Sequence, residues 1–556
     1  MSVSATRSDG SGDVGESDSR PAGTGFSLRR DGLLLAVVLA CVAFAQWPPG
    51  GSYFRGDDFA HLYEIENHGW LEFLLRPQGA HSLIVSYSLL AMCWELFGMR
   101  AEAWYALPLA IHLTNTALLY RLLVRESTAS SPSRFLAAGI ALWWGVCPIH
   151  QGTLGWLSAS CQATGTMWLL LLFGRLSRLR ELSSPPPMRE QLAWCALALC
   201  AAASFGTALA VAAVAGPIAM LLLWDVVPGV RRPAIRTLGA LLLVIPVLYF
   251  VQLLAFSHVW PDPIGAEVLE AHGQSLQLGQ LPRSLAMLFK LVAYAVTATL
   301  LGGAVAMNGK GVLYGPWTGT PPDAVGSVVL VAAALVSVVA IITAWRISGS
   351  RGRIAAVILS IIACYAPISL ARAYFYEIMT LNPWLSAGVP RYHYLGTLLV
   401  AWLLFAIFDA LWRNRSQRIV GPTVLAVIVV LALGFQAPAS DAVRSTLGFK
   451  NARARVEAFR GKLERLALER PAGAIVAVEN GVFPSAGWKV DRYTYPGMAA
   501  LFMVMYPTDE IEGRRIVFVD DSDGARALVR ARPDSRIARL LVTRQEADAW
   551  TLDDAR

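Results

Sequence analysis

The sequence predicts an all-α polytopic membrane protein, of about 11 to 13 transmembrane helices, that ends in a small α/β domain outside the membrane. Three observations predict it. Apolar runs of roughly bilayer-crossing length, about 17 to 25 residues, recur from residue 32 to residue 437. Arginines cluster in the short breaks between the runs. Beyond residue 437 charged residues become frequent and short β-type runs replace the long apolar ones.

Composition fits this class: of 556 residues, 55% are hydrophobic and only 15% are charged. The net charge of +8 sits in interhelical loops, which membrane topology explains and nucleic-acid binding does not require. Residues 1–28, rich in Ser, Gly and Asp, predict a disordered cytoplasmic tail. The run 32–48 follows Arg29-Arg30 and shows no small-residue cleavage site, so it predicts a retained signal anchor. Cys41, Cys93, Cys147, Cys161, Cys195, Cys200 and Cys364 lie in or beside apolar runs, without a disulfide framework or metal-ligand spacing.

Further runs follow at 80–98, 104–123, 134–149, 153–174, 191–204, 206–226, 237–257, 284–306, 323–345, 353–371, 394–412 and 419–437. The basic loops at Arg121/Arg125/Arg134, Arg175/Arg178/Arg180/Arg189, Arg231/Arg232/Arg236, Arg346/Arg351/Arg353 and Arg413/Arg415/Arg418 belong on the cytoplasmic side with Arg29-Arg30. They can all be there only if two runs make no simple crossing. Glu95 marks 80–98 and Lys290 marks 284–306 as juxtamembrane or re-entrant helices on the outer face, leaving eleven spans. A count of thirteen would put the middle arginine loops outside. With eleven, residues 29–437 form the transmembrane domain, with an outer loop at 49–103. Every histidine except His112 then lies on the outer face or at its edge. Residues 438–556 form the extracytoplasmic domain, with strands at Ala474–Val478 and Arg515–Val519 and helices at Asn451–Leu468 and Gly524–Arg530. It has no Gly-rich phosphate loop and no Cys/His cluster, so packing or acceptor binding are its open roles.

The adjacent carboxylates Asp57-Asp58, in Phe54-Arg55-Gly56-Asp57-Asp58-Phe59-Ala60-His61, are the candidate active centre. Two acids beside lipid are costly to hold and useful for proton transfer; a partly desolvated carboxylate gains basicity. Arg55 is a candidate cation partner. His61 shares a helical face with Asp57, so a divalent metal held by Asp57, Asp58 and His61 stays open; no cofactor is otherwise implied. A solvated loop or helix cap would account for the pair without chemistry. Outward cations that could hold a phosphate are Arg391, His393, Arg372 and Lys290, although interfacial snorkelling explains each singly. His81 and His150 are supporting or acceptor-side candidates.

Several motifs come in a telling order. After Asp57-Asp58-Phe59 come Gly79-Ala80-His81, Leu96-Phe97-Gly98 and His112-Leu113-Thr114-Asn115-Thr116-Ala117-Leu118-Leu119. Pro148-Ile149-His150 precedes Trp156-Leu157-Ser158, Ser204-Phe205-Gly206-Thr207-Ala208 leads to Leu223-Trp224-Asp225, and Pro390-Arg391-Tyr392-His393-Tyr394 precedes a late run. This order resembles the multi-spanning C-type glycosyltransferase superfamily (GT-C), most closely the bacterial relatives of the transmembrane and tetratricopeptide-repeat O-mannosyltransferases. It covers roughly residues 32–412, and no such repeat is visible. Gly152 stands where the family has Glu, Ser160 where it has Arg, and Phe205-Gly206 where it has Lys-Glu.

The resemblance implies a plasma-membrane glycosyltransferase with an outward site. It implies a monosaccharide donor on a polyprenyl phosphate and a protein, lipid or glycan acceptor. Loop 258–283 and helix 284–306 would form the donor-lipid groove. The rivals are a transporter or lipid flippase, which should carry ionisable groups at mid-membrane, and a non-catalytic relative that binds lipid-linked sugars.

Overall fold

The computed structural model describes residues 28–47, 53–54, 57–77, 81, 83–127, 131–259, 277–302, 324–347, 351–378, 389–412, 420–446, 452–480, 510–511, 514–519, 536–542 and 550–554. The expected tail at 1–27, Arg55, the loop 260–276 and the helix at Gly524–Arg530 lie outside these residues, as do the side chains of Asp57 and Arg372.

Helices dominate. In chain order they are α1 (Leu28–Gln46), α2 (Asp57–Asn67), α3 (Trp70–Leu75), α4 (Ile84–Phe97), α5 (Ala101–Glu126), α6 (Ser131–Gly145), α7 (Gln151–Leu154), α8 (Cys161–Arg178), α9 (Met188–Ala202), α10 (Gly206–Ala213), α11 (Ala215–Leu222) and α12 (Pro228–Val259). They continue with α13 (Leu281–Leu301), α14 (Ala324–Ile347), α15 (Arg351–Ile378), α16 (Tyr394–Trp412), α17 (Val420–Leu431), α18 (Ala437–Thr446) and α19 (Ala452–Leu468). Among the described residues, 7 helices are long and apolar enough to cross a membrane. The chain is thus a helical multi-pass membrane protein. On α12 the large apolar residues Leu243, Val247, Phe250 and Val251 are exposed, the surface expected of a helix that borders lipid.

Charge organises one end of the bundle. Glu126, fully buried at the end of α5, pairs with Arg180 and Arg353, each at 2.7 Å, and accepts the Ser177 hydroxyl at 2.5 Å. Arg180 also donates to the Leu222 carbonyl at 2.5 Å. Nearby helix ends follow the same pattern: Arg134 pairs with buried Asp31 at 3.1 Å, Ser133 donates to buried Asp409 at 3.0 Å, and Arg175 meets Glu190 at 2.7 Å. Basic-loop ends of α1, α5, α6, α8, α11, α15 and α16 are thereby tied together, as the distribution of arginines requires. A buried carboxylate between two guanidinium groups is tolerated because its charge is met on both sides.

The opposite end is built differently. Tyr53, Phe54, Leu62, Phe73, Tyr87, Trp104 and Tyr105 form an apolar cluster that joins α2, α3 and α4 to the start of α5. At 14 residues α4 is short, and it is tied to the chain after α9: the Val85 N–H and the Ser86 hydroxyl donate to the Ala203 and Ser204 carbonyls, each at 3.0 Å. By length α4 falls below the helices that can cross a membrane. The expected surface helix at 284–306 differs. As α13 it is long and apolar enough to cross, and Ser284, Met287, Leu291 and Tyr294 are buried as it packs along α14, α15 and α16. Its end reaches α6, where the Trp143 indole donates to the Thr299 carbonyl at 2.6 Å. Lys290 is no bar to this, since its stem can lie along apolar surface while the ammonium reaches a polar edge.

After the bundle, α19 packs on a 5-stranded sheet of order β2-β3-β1-β4-β5: β1 (Ile475–Asn480), β2 (Glu510–Ile511), β3 (Arg514–Val519), β4 (Arg536–Val542) and β5 (Trp550–Asp554). β3, β1 and β4 are parallel, with Val478 opposite both Phe518 and Ala538, while both edge strands are antiparallel. Val456 of α19 and Val476 of β1 join the cluster of Phe54 and Trp104.

Candidate active site

Asp58 lies in the first turn of α2 and is 0% exposed. Its Oδ1 accepts the backbone N–H of Ser158 at 2.8 Å and the Ser158 hydroxyl at 2.6 Å. Its Oδ2 lies 3.3 Å from the Tyr105 hydroxyl, which also donates to the Tyr53 carbonyl at 2.9 Å. One hydroxyl proton cannot serve both acceptors fully, so the shorter bond to Tyr53 takes the larger share. Asp58 therefore fastens α2 to the 3₁₀ turn Leu157–Ala159, which precedes α8. Asp57 opens α2.

On that same segment, two residues before Ser158, the Trp156 ring carries the Arg391 guanidinium, with the carbon 4.5 Å from the ring centroid. Arg391 also lies 5.5 Å from the Tyr392 ring. Such stacking orients a guanidinium while leaving donors at its edge for an anion. The turn Pro390–His393 approaches because residue 152 is glycine: a Cβ there would lie 2.5 Å from Pro390 Cβ and 2.9 Å from the Arg391 nitrogen. A glutamate in this position would displace Arg391.

The other cations separate. His393 is fully buried, its Nδ1 2.9 Å from the Tyr365 hydroxyl and its ring stacked on Tyr294 at 6.1 Å. It is a packing group and offers no surface to a phosphate, contrary to the expectation for an outward cation. Lys290 is partly buried, one turn before Tyr294 on α13. Arg372 lies on α15, seven residues after Tyr365.

His150 also departs from the expected interfacial position. It is fully buried between His112 (5.0 Å), Trp144 (4.8 Å) and Tyr394 (4.9 Å), and its Nε2 lies 2.8 Å from the Trp144 carbonyl. A carbonyl only accepts, so Nε2 carries the proton. Burial, reinforced by neighbouring His112, pushes the pKa of His150 well below the ordinary histidine value. It is a neutral core residue. His112 and Asn115 both bond the Tyr394 hydroxyl, at 2.7 and 3.1 Å, and so fix the helix entry that follows Arg391.

His61 is nearly buried, with its ring 5.4 Å from Tyr87. Among the described residues there is no group of three or more His, Cys, Asp or Glu side chains placed to hold a metal. His81 is partly buried and stacks on Phe205 at 5.3 Å, and a Cβ on Gly206 would lie 3.6 Å from its Nδ1. The segment at His81 thus meets the start of α10 at Phe205 and Gly206.

Sequence reasoning missed Ser158 and Tyr105 as partners of Asp58. Ser158 stood within the Trp156-Leu157-Ser158 motif, but nothing local named its partner; Tyr105 carried no signal.

No family model and no curated protein matches the chain. Among solved structures, the crystal structure of ArnT from Cupriavidus metallidurans bound to undecaprenyl phosphate is similar at 13% identity, with 93% of each chain covered and a TM-score of 0.42, below the range of chains that share a fold.

Proposed function

We propose that the protein is a membrane glycosyltransferase of the GT-C type. It moves a monosaccharide from a polyprenyl phosphate to an extracytoplasmic acceptor at the turn that carries Asp57 and Asp58. One observation carries this reading. Ser158, which binds Asp58, and Trp156, which carries Arg391, are two residues apart on one segment, so the Asp58 carboxylate and an oriented cation are held by one segment at the end opposite the arginine-rich rim. That rim is the cytoplasmic end, which makes the site extracytoplasmic.

In this reading the acceptor hydroxyl attacks the anomeric carbon of the donor. The new carbon–oxygen bond forms as the bond to phosphate breaks, and the electron pair leaves on the polyprenyl phosphate. Asp57 takes the hydroxyl proton, while Asp58, already engaged by Ser158, holds the turn. Arg391 neutralises the charge that grows on the leaving phosphate.

The test is sugar release from radiolabelled polyprenyl-phosphate monosaccharides by wild type, Asp57→Asn and Asp58→Asn. The reading expects turnover in wild type and its loss in Asp57→Asn, with Asp58→Asn impaired in both turnover and stability. Lipid binding without turnover for every donor would overturn it in favour of a carrier or a non-catalytic sugar-lipid binder.

A further inference from the structure

The C-terminal unit rests on the residues that lead into the candidate active turn. In the first turn of α19, Arg453 pairs with Glu102 at 2.5 Å and sits 5.4 Å from the Tyr53 ring. Val456 is buried in the cluster of Tyr53, Phe54, Trp104 and Tyr105, joined there by Ala467 and Val476. Within that cluster Phe54 meets Tyr53 and Trp104, both edge-on at 5.4 Å. The Tyr53 carbonyl accepts the Tyr105 hydroxyl, whose oxygen lies beside Asp58 Oδ2. A continuous line of contacts therefore runs Arg453, Tyr53, Tyr105, Asp58.

We infer that the C-terminal unit holds the Asp57-Asp58 turn in its working geometry through α19, with Arg453 as a positioning residue. The catalytic consequence rests on the transferase reading; the mechanical coupling does not. Glu102 and Arg453 are both substantially solvent-exposed, so their ion pair contributes little to global stability. The buried apolar contacts keep the unit docked, while Arg453 sets where Tyr53 lies beneath it. Loss of this one side chain should loosen the turn without unfolding the chain.

The experiment uses the full chain in lipid nanodiscs and compares wild type, Arg453→Glu, Arg453→Lys and the exchanged pair Glu102→Arg/Arg453→Glu. Hydrogen exchange of the amides in 57–67 is followed beside donor turnover and thermal stability. Arg453→Glu should raise exchange in 57–67 by about tenfold. It should also lower kcat without raising KM for the donor and leave the thermal midpoint close to wild type. Arg453→Lys, which keeps a cation over the Tyr53 ring, should restore both readouts, whereas the exchanged pair, which re-forms the ion pair but sets a carboxylate over that ring, should not. Should Arg453→Glu fail to fold, Arg453→Ala carries the same comparison.

Faster exchange confined to 452–468, with 57–67 unchanged, would overturn the inference. Faster exchange in 57–67 with a wild type that turns over no donor would support the coupling and remove the transferase reading.

Discussion

Asp58 and Ser158 are joined twice, because one carboxylate oxygen accepts both the N–H and the hydroxyl of the serine at 2.8 and 2.6 Å. Ser158→Ala removes the hydroxyl bond and keeps the other. A hydrogen bond to a charged group contributes about 1.5–3 kcal/mol, so the variant should unfold at a lower temperature and turn over donor more slowly. Unchanged unfolding in detergent would show that the hydroxyl bond adds nothing to the hold on this turn.

Arg391 should act on the leaving phosphate. Arg391→Ala should lower kcat/KM by about a hundredfold, the scale seen when one preorganised donor is lost from a charge-developing site. Arg391→Lys keeps the charge but loses the planar fork above Trp156, so it should recover only part of the rate. Equal rates for the lysine and alanine variants would argue against a charge role.

Gly152 should admit no side chain. Gly152→Ala would press on Pro390 and the Arg391 backbone, where overpacking costs about 1–3 kcal/mol. Turnover should fall with stability, and Gly152→Glu should fall further. A fully active Gly152→Glu protein would mean that the turn 390–393 yields freely.

Glu126→Gln should be among the most destabilising single changes. It leaves the guanidinium groups of Arg180 and Arg353 without their shared carboxylate, a loss of about 3–5 kcal/mol for a buried pair. The temperature of irreversible aggregation in detergent reads this out.

His150 should make stability fall with acid. Its folded-state pKa lies well below the ordinary value, so as pH drops the unfolded chain takes up the proton first. The neutral histidine's contribution is fully present above about pH 6.5 and is lost progressively below it. Aggregation temperatures measured from pH 7.5 to pH 5 should decline less steeply for His150→Gln than for wild type. Parallel curves would show that His150 titrates alike in both states.

Where charge or periodicity writes the fold, it was legible. Arg125, Arg134, Arg175, Arg180 and Arg353 were assigned to one side from their loops, and their contacts lie at one end of the bundle. α4, within the run 80–98, is shorter than the helices long enough to cross a membrane, and β1 and β3 lie where the β-type runs placed them. Partners far apart in sequence were not legible. Nothing near Asp58 signals that Tyr105 and Ser158 will enclose it, so the pair reads only as two partly desolvated carboxylates beside lipid. His150 and His393 looked outward because each flanks an apolar run. Both instead enter the core where aromatic rings from other helices cover them. Lys290 invited a surface assignment for a helix whose remaining residues favour insertion.

The distant partners of α1 bear on biogenesis. Asp31 near its start is met by Arg134, and the Trp47 carbonyl just past its end receives the Arg444 guanidinium. A ribosome delivers α1 to the membrane before either arginine exists. The helix that enters the bilayer first must wait for the fifteenth kilodalton or so of chain to neutralise its acid, and its far end, where Gln46 donates to the Gly145 and Cys147 carbonyls, receives Arg444 only after the helices that lie between have been made. Nascent chains stalled before residue 134 should therefore leave α1 free to exchange with the translocation machinery, and chains stalled well beyond residue 151 should hold it.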